Sequence, residues 1–400
     1  MTLTMRDKQR INVVQGVMDG KITRVEAGRV LGVKERQIYR ILAKVRKRGI
    51  EGVLHGNKGK ESPRKTPESF WEKVLRIVRR RYRDVNDQQI RELLEREEEI
   101  RVKRESLRKR LREAGLVPKR TRRRNRYRKR RERKEAMGMM IQIDASPHDW
   151  LEGRGPWLTL VGGKDDATGY VWARFEEAES TWAYFRLAEQ ILTRQGIPMS
   201  FYSDRHTIFF SPREPTIVEQ LQDQTPVTQF GRAMQELGMT LIPAYSPQAK
   251  GRIERNWGIF QDRLVVELRL ANAKTREEAN RVLERFLKDF NRRFTVPPKS
   301  REAVFRKAPG QEDLDHILCL KETRTVAKDH TVSFEGLILQ IPALKQSWSI
   351  AGRSVDVLQL KDGSIEIVHK GKSLAKFSPE AVTRLVEQKK PMKSQLKTAA

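Results

Sequence analysis

Sixteen consecutive residues, Lys119–Lys134, contain twelve Lys or Arg and a single Glu. A segment of that composition has no apolar face and its like charges repel, so it cannot build a core. It therefore stands between the front of the 400-residue chain and the remainder as a segment that does not fold by itself. Charge differs sharply on its two sides. Residues 1–135 hold 44 Lys/Arg against 19 Asp/Glu, residues 136–300 hold 21 of each, and residues 301–400 hold 17 against 12. A surplus needed only for solubility would be spread evenly. A basic front on a neutral middle instead predicts a polyanion-binding arm joined to a working domain. Nucleic acid is the expected partner, and the run itself, with Arg122, Arg123, Arg124, Arg126, Arg128, Lys129 and Arg130, is expected to track a phosphate backbone from 119 to 135.

Two helical modules are expected ahead of the run, over 1–56 and 66–118. In Ile22–Leu42 the apolar or small residues Val25, Ala27, Val30 and Leu31 fit the inner face of one short helix. Gly32 supplies a tight turn, and Ile38, Ile41 and Leu42 anchor a second helix. This spacing is that of a helix-turn-helix, whose second helix reads bases near its N-terminus. Lys34, Arg36, Gln37 and Arg40 are the candidate contacts. After a polar connector, helices are predicted around Phe70–Val78, at Ile90–Leu94 and from Val102 to a stop at Gly115. Lys103, Arg104, Arg108 and Lys109 face outward on the last of these. A plain α-hairpin and a solvated linker are the alternatives for these basic segments.

Beyond the run the pattern turns to strands. Met139–Asp144 and Met199–Asp204 are short runs ending in an aspartate, and Trp157–Phe175 reads as two strands joined by a turn at Asp165–Gly169. Helices are predicted over 178–192, capped by Ser180 or Thr181, and near Thr228–Leu237, with a short strand at Met239–Ile242. A long helix follows. Ser246 and Pro247 suit its cap and first position, and Ile253, Trp257, Phe260, Leu264 and Leu268 form its buried stripe. Glu254 lies beside that stripe, flanked by Lys250, Arg252 and Arg255, which would meet phosphates. Asp144, Asp204 and Glu254, delivered by two strands and a helix, are hard oxygen ligands of the kind Mg²⁺ prefers. Paired Mg²⁺ ions suit in-line displacement at a phosphodiester. Asp149, Asp165, Asp166 and His206 are rival groups, with turn or loop roles as the simpler reading.

These residues carry a family resemblance. The strand and helix order is that of the ribonuclease-H-like fold, and the Tyr245–Asn256 block with the two Asp-ending strands resembles DDE transposases of bacterial insertion sequences, of the ISNCY-type group, similar to retroviral integrases. The resemblance covers nearly the whole chain. It implies that 136–300 is the catalytic domain and that Asp144, Asp204 and Glu254 are its catalytic and metal-binding residues. It further implies two Mg²⁺ ions, with Mn²⁺ able to substitute. The implied activity is hydrolysis at the inverted repeats of a mobile element, followed by attack of the freed 3′-OH on target DNA, by at least a dimer. Two departures stand out: Asp204 and Glu254 are 50 positions apart, through an inserted Phe209–Gln229 segment, and Gln261 stands where many relatives place a basic residue. A DNA-binding regulator with an inactive core and a nuclease without strand transfer are the alternatives.

Short strands return over 316–380, at Thr323–Val326, His330–Phe334, Leu337–Ile341, Val355–Leu360 and Ile365–Val368, with a hairpin signal at Lys361-Asp-Gly. They predict a small all-β barrel, followed by a disordered tail over 388–400. The lone Cys319 excludes a disulfide framework and reads as a small buried hydrophobe. No apolar run approaches a membrane span and no signal core precedes the first helix, so a soluble, cytosolic protein is expected, in the bacterial cytosol or nucleoid.

Overall fold

The computed structural model describes residues 4–54, 66–116, 132–221, 225–245, 251–343 and 349–389. The chain divides into two compact units, Met1–Arg83 with Lys109–Leu116, and Asp84–Arg108 with Val117–Ala400. No helix among the described residues is long and apolar enough to cross a membrane.

In the first unit α1 (Met5–Met18), α2 (Arg24–Leu31) and α3 (Glu35–Arg48) share one small core built on Val14, Ala27, Ile38, Ile41 and Val45. Helix α1 was not apparent from the sequence pattern, although a reciprocal cap between Thr4 and Asp7 marks its start. Thr23 and Glu26 form the same cap on α2, and Gly32, at φ 63°, ends it in the left-handed region. Gly28 is needed too, since a Cβ there would stand 2.7 Å from the Val33 carbonyl oxygen. The expected inner face of α2 needs correction: Val25 and Val30 are exposed, and Ala27, Gly28 and Leu31 face the core. A helix of eight residues presents one narrow stripe, and Ala27 and Leu31 at i, i+4 define it.

Helix α4 (Glu68–Arg81) belongs to the first unit, α5 (Asp87–Glu97) to the second, and α6 (Arg104–Glu113) runs through the boundary. Gly115 terminates α6 at φ 67°, with Leu116 N–H returning to the Leu111 carbonyl.

The second unit is built on a five-stranded sheet in the order β3-β2-β1-β4-β5, comprising β1 (Ile141–His148), β2 (Leu158–Asp165), β3 (Val171–Glu176), β4 (Ser200–Ser203) and β5 (Thr240–Pro243). β1, β2 and β3 are antiparallel neighbours, while β4 runs parallel to β1 and β5 parallel to β4. This is the ribonuclease-H-like arrangement. Strand alternation sorts the two faces. Ile141, Ile143, Val161 and Trp172 pack with α7 (Thr181–Gln195) and α9 (Gln229–Glu236). Leu158, Leu160, Val171, Ala173 and Phe175 pack with α10 (Gly251–Leu270) and α11 (Arg276–Phe294). Ser180 and Thr228 cap α7 and α9. The short α8 (Ile217–Leu221) lies in the inserted segment.

The outer edge of β3 is closed by side chains. Asn291 accepts from Val171 N–H at 2.9 Å and donates to Val171 C=O at 2.8 Å. Asn280 does the same at Phe175, at 2.8 and 3.1 Å. Two asparagines three turns apart on α11 thus satisfy an edge that would otherwise invite another strand.

After α12 (Gln311–Ile317) come β6 (Leu320–Thr325), β7 (Thr331–Phe334), β8 (Leu337–Gln340), β9 (Ser354–Gln359), β10 (Ile365–His369), β11 (Lys372–Phe377) and α13 (Pro379–Lys389). The expected barrel is corrected. The described residues form an open antiparallel sheet, β11-β10-β9-β6, and a separate hairpin, β7-β8. Alternation and turn signals locate strands but do not say which edges meet, and β6 and β11 are left as edges. Cys319 is fully buried and its thiol is pushed up to about 11, chiefly by burial. Residues 390–400 of the expected tail and Arg122, Arg123, Arg124, Arg126, Arg128, Lys129 and Arg130 of the basic run lie outside the described residues.

Candidate active site and nucleic-acid interface

β1 pairs with β4 as Ile141 with Phe201 and Gln142 with Tyr202; Asp144 lies two residues beyond that last pair on β1, and Asp204 two residues beyond it, just past β4. Neighbouring strands run about 4.8 Å apart. Because Ile141 turns toward α7, alternation sends Asp144 toward the opposite face, where α10 lies. Asp144 and Asp204 are both half-buried. The phenol of Tyr184 senses each of them: burial and Glu179 raise it well above its usual range, and Asp144 and Asp204 add to that. Asp204 directly follows β4, as expected, but Asp144 lies inside its strand rather than at its end. Among the described residues β1 continues to His148 paired with β2 alone, and on that open side it tolerates Pro147.

Helix α10 runs along the polar face of β1, and three contacts fix it there. Arg252, in its first turn, donates to Asp166, which also accepts from Gln142 Nε2 at 2.9 Å. Trp257 Nε1–H donates to Asp144 Oδ2 at 3.0 Å, and Gln261 Nε2 donates to Ser146 Oγ at 3.2 Å. The helix stripe Ile253, Trp257, Phe260, Leu264 and Leu268 is buried as the spacing predicts. Lys164 on β2 adds a fourth anchor, donating to Asn256 Oδ1 at 2.7 Å and to the Arg252 carbonyl at 3.3 Å. Burial, then the charges of Arg133, Arg255 and Arg252, bring its ammonium down to about 8.

Glu254 is exposed in the first turn of α10, one turn before Trp257. Among the described residues no three carboxylate, imidazole or thiol groups are gathered closely enough to hold a metal ion. Lys250 and the expected cap at Ser246 and Pro247 lie outside the described residues. The rival carboxylates are spent on structure. Asp165, raised by burial, accepts from Gly138 and Thr168, and Asp166 accepts from the Lys134 backbone as well as from Gln142 and Arg252. His206 accepts the Ile208 backbone N–H on Nδ1, a local loop bond. Arg252 points inward at a fully buried Asp166, not outward as expected, whereas Arg255 is exposed.

On α3 and at its cap, Lys34, Arg36 and Arg40 are exposed and Gln37 is half-buried. Beside them Tyr39 is 50% exposed, its hydroxyl held by Arg24 at 2.7 Å and its ring under that guanidinium at 4.5 Å, an aromatic contact the motif did not single out. Lys103, Arg104, Arg108 and Lys109 are exposed, with Arg108 near Glu105 and Asp87 and Lys109 near Glu113.

Residues 9–61 match the family model described as "Helix-turn-helix domain". The chain is 35% identical over 376 residues to "Putative transposase y4bF" of Sinorhizobium fredii, covering 94% of this chain and 81% of that one. The chain belongs to the insertion-sequence transposases. It is also 30% identical to "Transposase for insertion sequence IS1202" of Streptococcus pneumoniae, over 90% of the present transposase and 84% of that relative. Among solved structures, the HTLV-2 integrase catalytic core domain in complex with magnesium aligns at 16% identity and a TM-score of 0.30, over 42% of this transposase and 94% of that chain. The BIV integrase catalytic core aligns at 19% identity and a TM-score of 0.27, over 38% and 83%.

Proposed function

We propose that this transposase cuts at the ends of its mobile element and joins the freed 3′-OH ends to target DNA, with Asp144, Asp204 and Glu254 as its catalytic carboxylates. The observation that carries this is that Asp144 on β1 and Asp204 just past β4 each lie two residues beyond the last pair of the parallel β1–β4 ladder, with the helix that bears Glu254 bonded to Asp144 through Trp257. The donor set is all oxygen, with Asp144 held inside β1 and Asp204 directly after β4, which suits Mg²⁺ or Mn²⁺ better than the softer metals. Glu254 has the longer side chain and sits on a helix turn, so it can swing inward to complete the set. Bound there, a pair of ions would supply stabilisation for the charge that develops on the phosphoryl oxygens.

The chain's own residues do the rest. Helix α3, through Arg36, Gln37 and Arg40, reads the terminal repeat, and Lys103, Arg104, Arg108 and Lys109 of the second helical module and the basic run hold the backbone. Arg255 and Lys250, beside Glu254, meet phosphates near the cut. In the first step water attacks an end phosphodiester and a strand leaves with a 3′-OH. In the second that hydroxyl attacks a target phosphorus, a bond to the target's own 3′ oxygen breaks, and the number of phosphodiesters is conserved. Cutting two ends calls for at least two protomers. The test is purified protein with terminal-repeat DNA and Mg²⁺. Nicked ends and joined products support the proposal. Nicks without joining identify a nuclease, and retention without cutting identifies a regulator.

A further inference from the structure

We propose that Trp257 is a positioning residue for Asp144, and that Gly162 is the notch in the sheet that admits it. This rests on the reading of Asp144 as a metal ligand. The indole N–H donates to Asp144 Oδ2 at 3.0 Å, and Trp257 is only 6% exposed, so the bond is sheltered from competing water. The ring packs edge-on against Phe260 at 5.8 Å, within the core between α10 and the sheet. Gly162 lies directly opposite Asp144 in the β1–β2 register, and a Cβ there would stand 2.6 Å from Trp257 Cη2. The six-membered end of the indole thus occupies the space of a missing side chain over Gly162, while its N–H meets the carboxylate on β1. Glycine inside a strand often marks such a close approach.

A ligating carboxylate held by an outer hydrogen bond enters coordination already oriented, and removing such a partner typically weakens metal affinity or activity about 10–100-fold. The same residue also ties the Asp144 carboxylate to the helix that carries Glu254, one turn away. A wholly apolar role in the core would be served as well by phenylalanine. Trp257→Phe therefore separates the two roles, because it keeps an apolar aromatic side chain and removes the donor.

The experiment measures Mn²⁺ binding to the full chain by calorimetry, and cleavage of terminal-repeat DNA against Mn²⁺ concentration. Trp257→Phe is expected to bind Mn²⁺ about 10–100-fold more weakly and to lose cleavage at limiting Mn²⁺ by a similar factor. Cleavage should recover at saturating Mn²⁺, with end-DNA affinity unchanged. Gly162→Ala, which keeps the indole N–H but crowds its ring and so displaces it, is expected to shift the metal dependence in the same direction and serves if the first variant does not fold. Wild-type Mn²⁺ affinity and metal dependence in a folded Trp257→Phe or Gly162→Ala protein would overturn the proposal. Asp144→Asn is the control for the underlying reading. If it retains full Mn²⁺ affinity and cleavage, the assignment of Asp144 fails; if it is inactive while Trp257→Phe behaves as wild type, only the positioning role fails.

Discussion

Lys164 allows a quantitative test of how α10 is mounted. Its ammonium sits among three arginines and is largely buried, which lowers its pKa from the ordinary 10.5 to about 8. At about 1.4 kcal/mol for each pKa unit, holding the charge in the folded protein costs roughly 3 kcal/mol. The sign follows from proton counting. Between pH 8 and 10.5 the unfolded chain binds this proton and the folded one does not, so folding is favoured progressively as pH rises through that window. Lys164→Met removes the charge but also deprives Asn256 Oδ1 and the Arg252 carbonyl of a donor, a loss of about 1–3 kcal/mol. The two effects offset at pH 7, where variant and wild type should differ by no more than about 2 kcal/mol. By pH 10 the wild type has shed most of its charge penalty, and the variant should have lost about 2–3 kcal/mol relative to the wild type compared with pH 7. Urea unfolding of both proteins at several pH values reads the difference, and subtracting one curve from the other cancels every other titrating group. A difference curve that stays flat from pH 7 to 10.5 would refute the reasoning.

Three further outcomes follow from single contacts. Asn291→Ala leaves the buried Val171 N–H and C=O without their partner and should lower stability by about 2–4 kcal/mol, read as a reduced urea midpoint at unchanged slope; a loss under about 0.5 kcal/mol would contradict the role given to α11. Burial alone would raise Glu92, but hydrogen bonds from Arg293 and Gln88 and the charge of Arg263 override it and hold its carboxyl at about 2. The stabilisation this gives is complete above about 4.5 and lost as pH falls through about 2, so amide exchange in α5 should accelerate in that range, and Glu92→Ala should show the fast exchange at pH 7. Arg36→Ala should relax discrimination between cognate and altered terminal repeats by about 1–3 kcal/mol while non-specific binding persists; uniform weakening with a shallower salt dependence would make Arg36 a phosphate contact instead.

Much of the fold was legible because its signals are local. Capping residues, Gly32, Gly115 and the α10 stripe each declare themselves within a few positions. What could not be read is what depends on partners distant in sequence. The outward turn of Val25 and Val30, the open C-terminal sheet and the inward turn of Arg252 toward Asp166, 86 positions away, are decided by packing against distant parts of the chain. The candidate site divides in the same way. Two aspartates ending apolar runs are visible in one dimension, and the parallel pairing that brings their strands side by side is a property of the sheet. Trp257 was read as one more apolar residue of the stripe, since nothing local says that its N–H meets Asp144. Gly162 in Leu160-Val-Gly-Gly is the one signal that could have pointed to it, as a glycine pair inside a strand marks close approach.

The central claim is that Asp144 and Asp204 share a divalent cation. Crystals of the full chain bound to terminal-repeat DNA, soaked in Mn²⁺ and measured at the manganese absorption edge, test it directly. The account predicts an anomalous peak about 2.2 Å from oxygens of both aspartates, with Glu254 drawn in to the same cluster. A peak held by other residues, or none at Asp144 and Asp204 in crystals of a protein that still joins DNA strands, would contradict it.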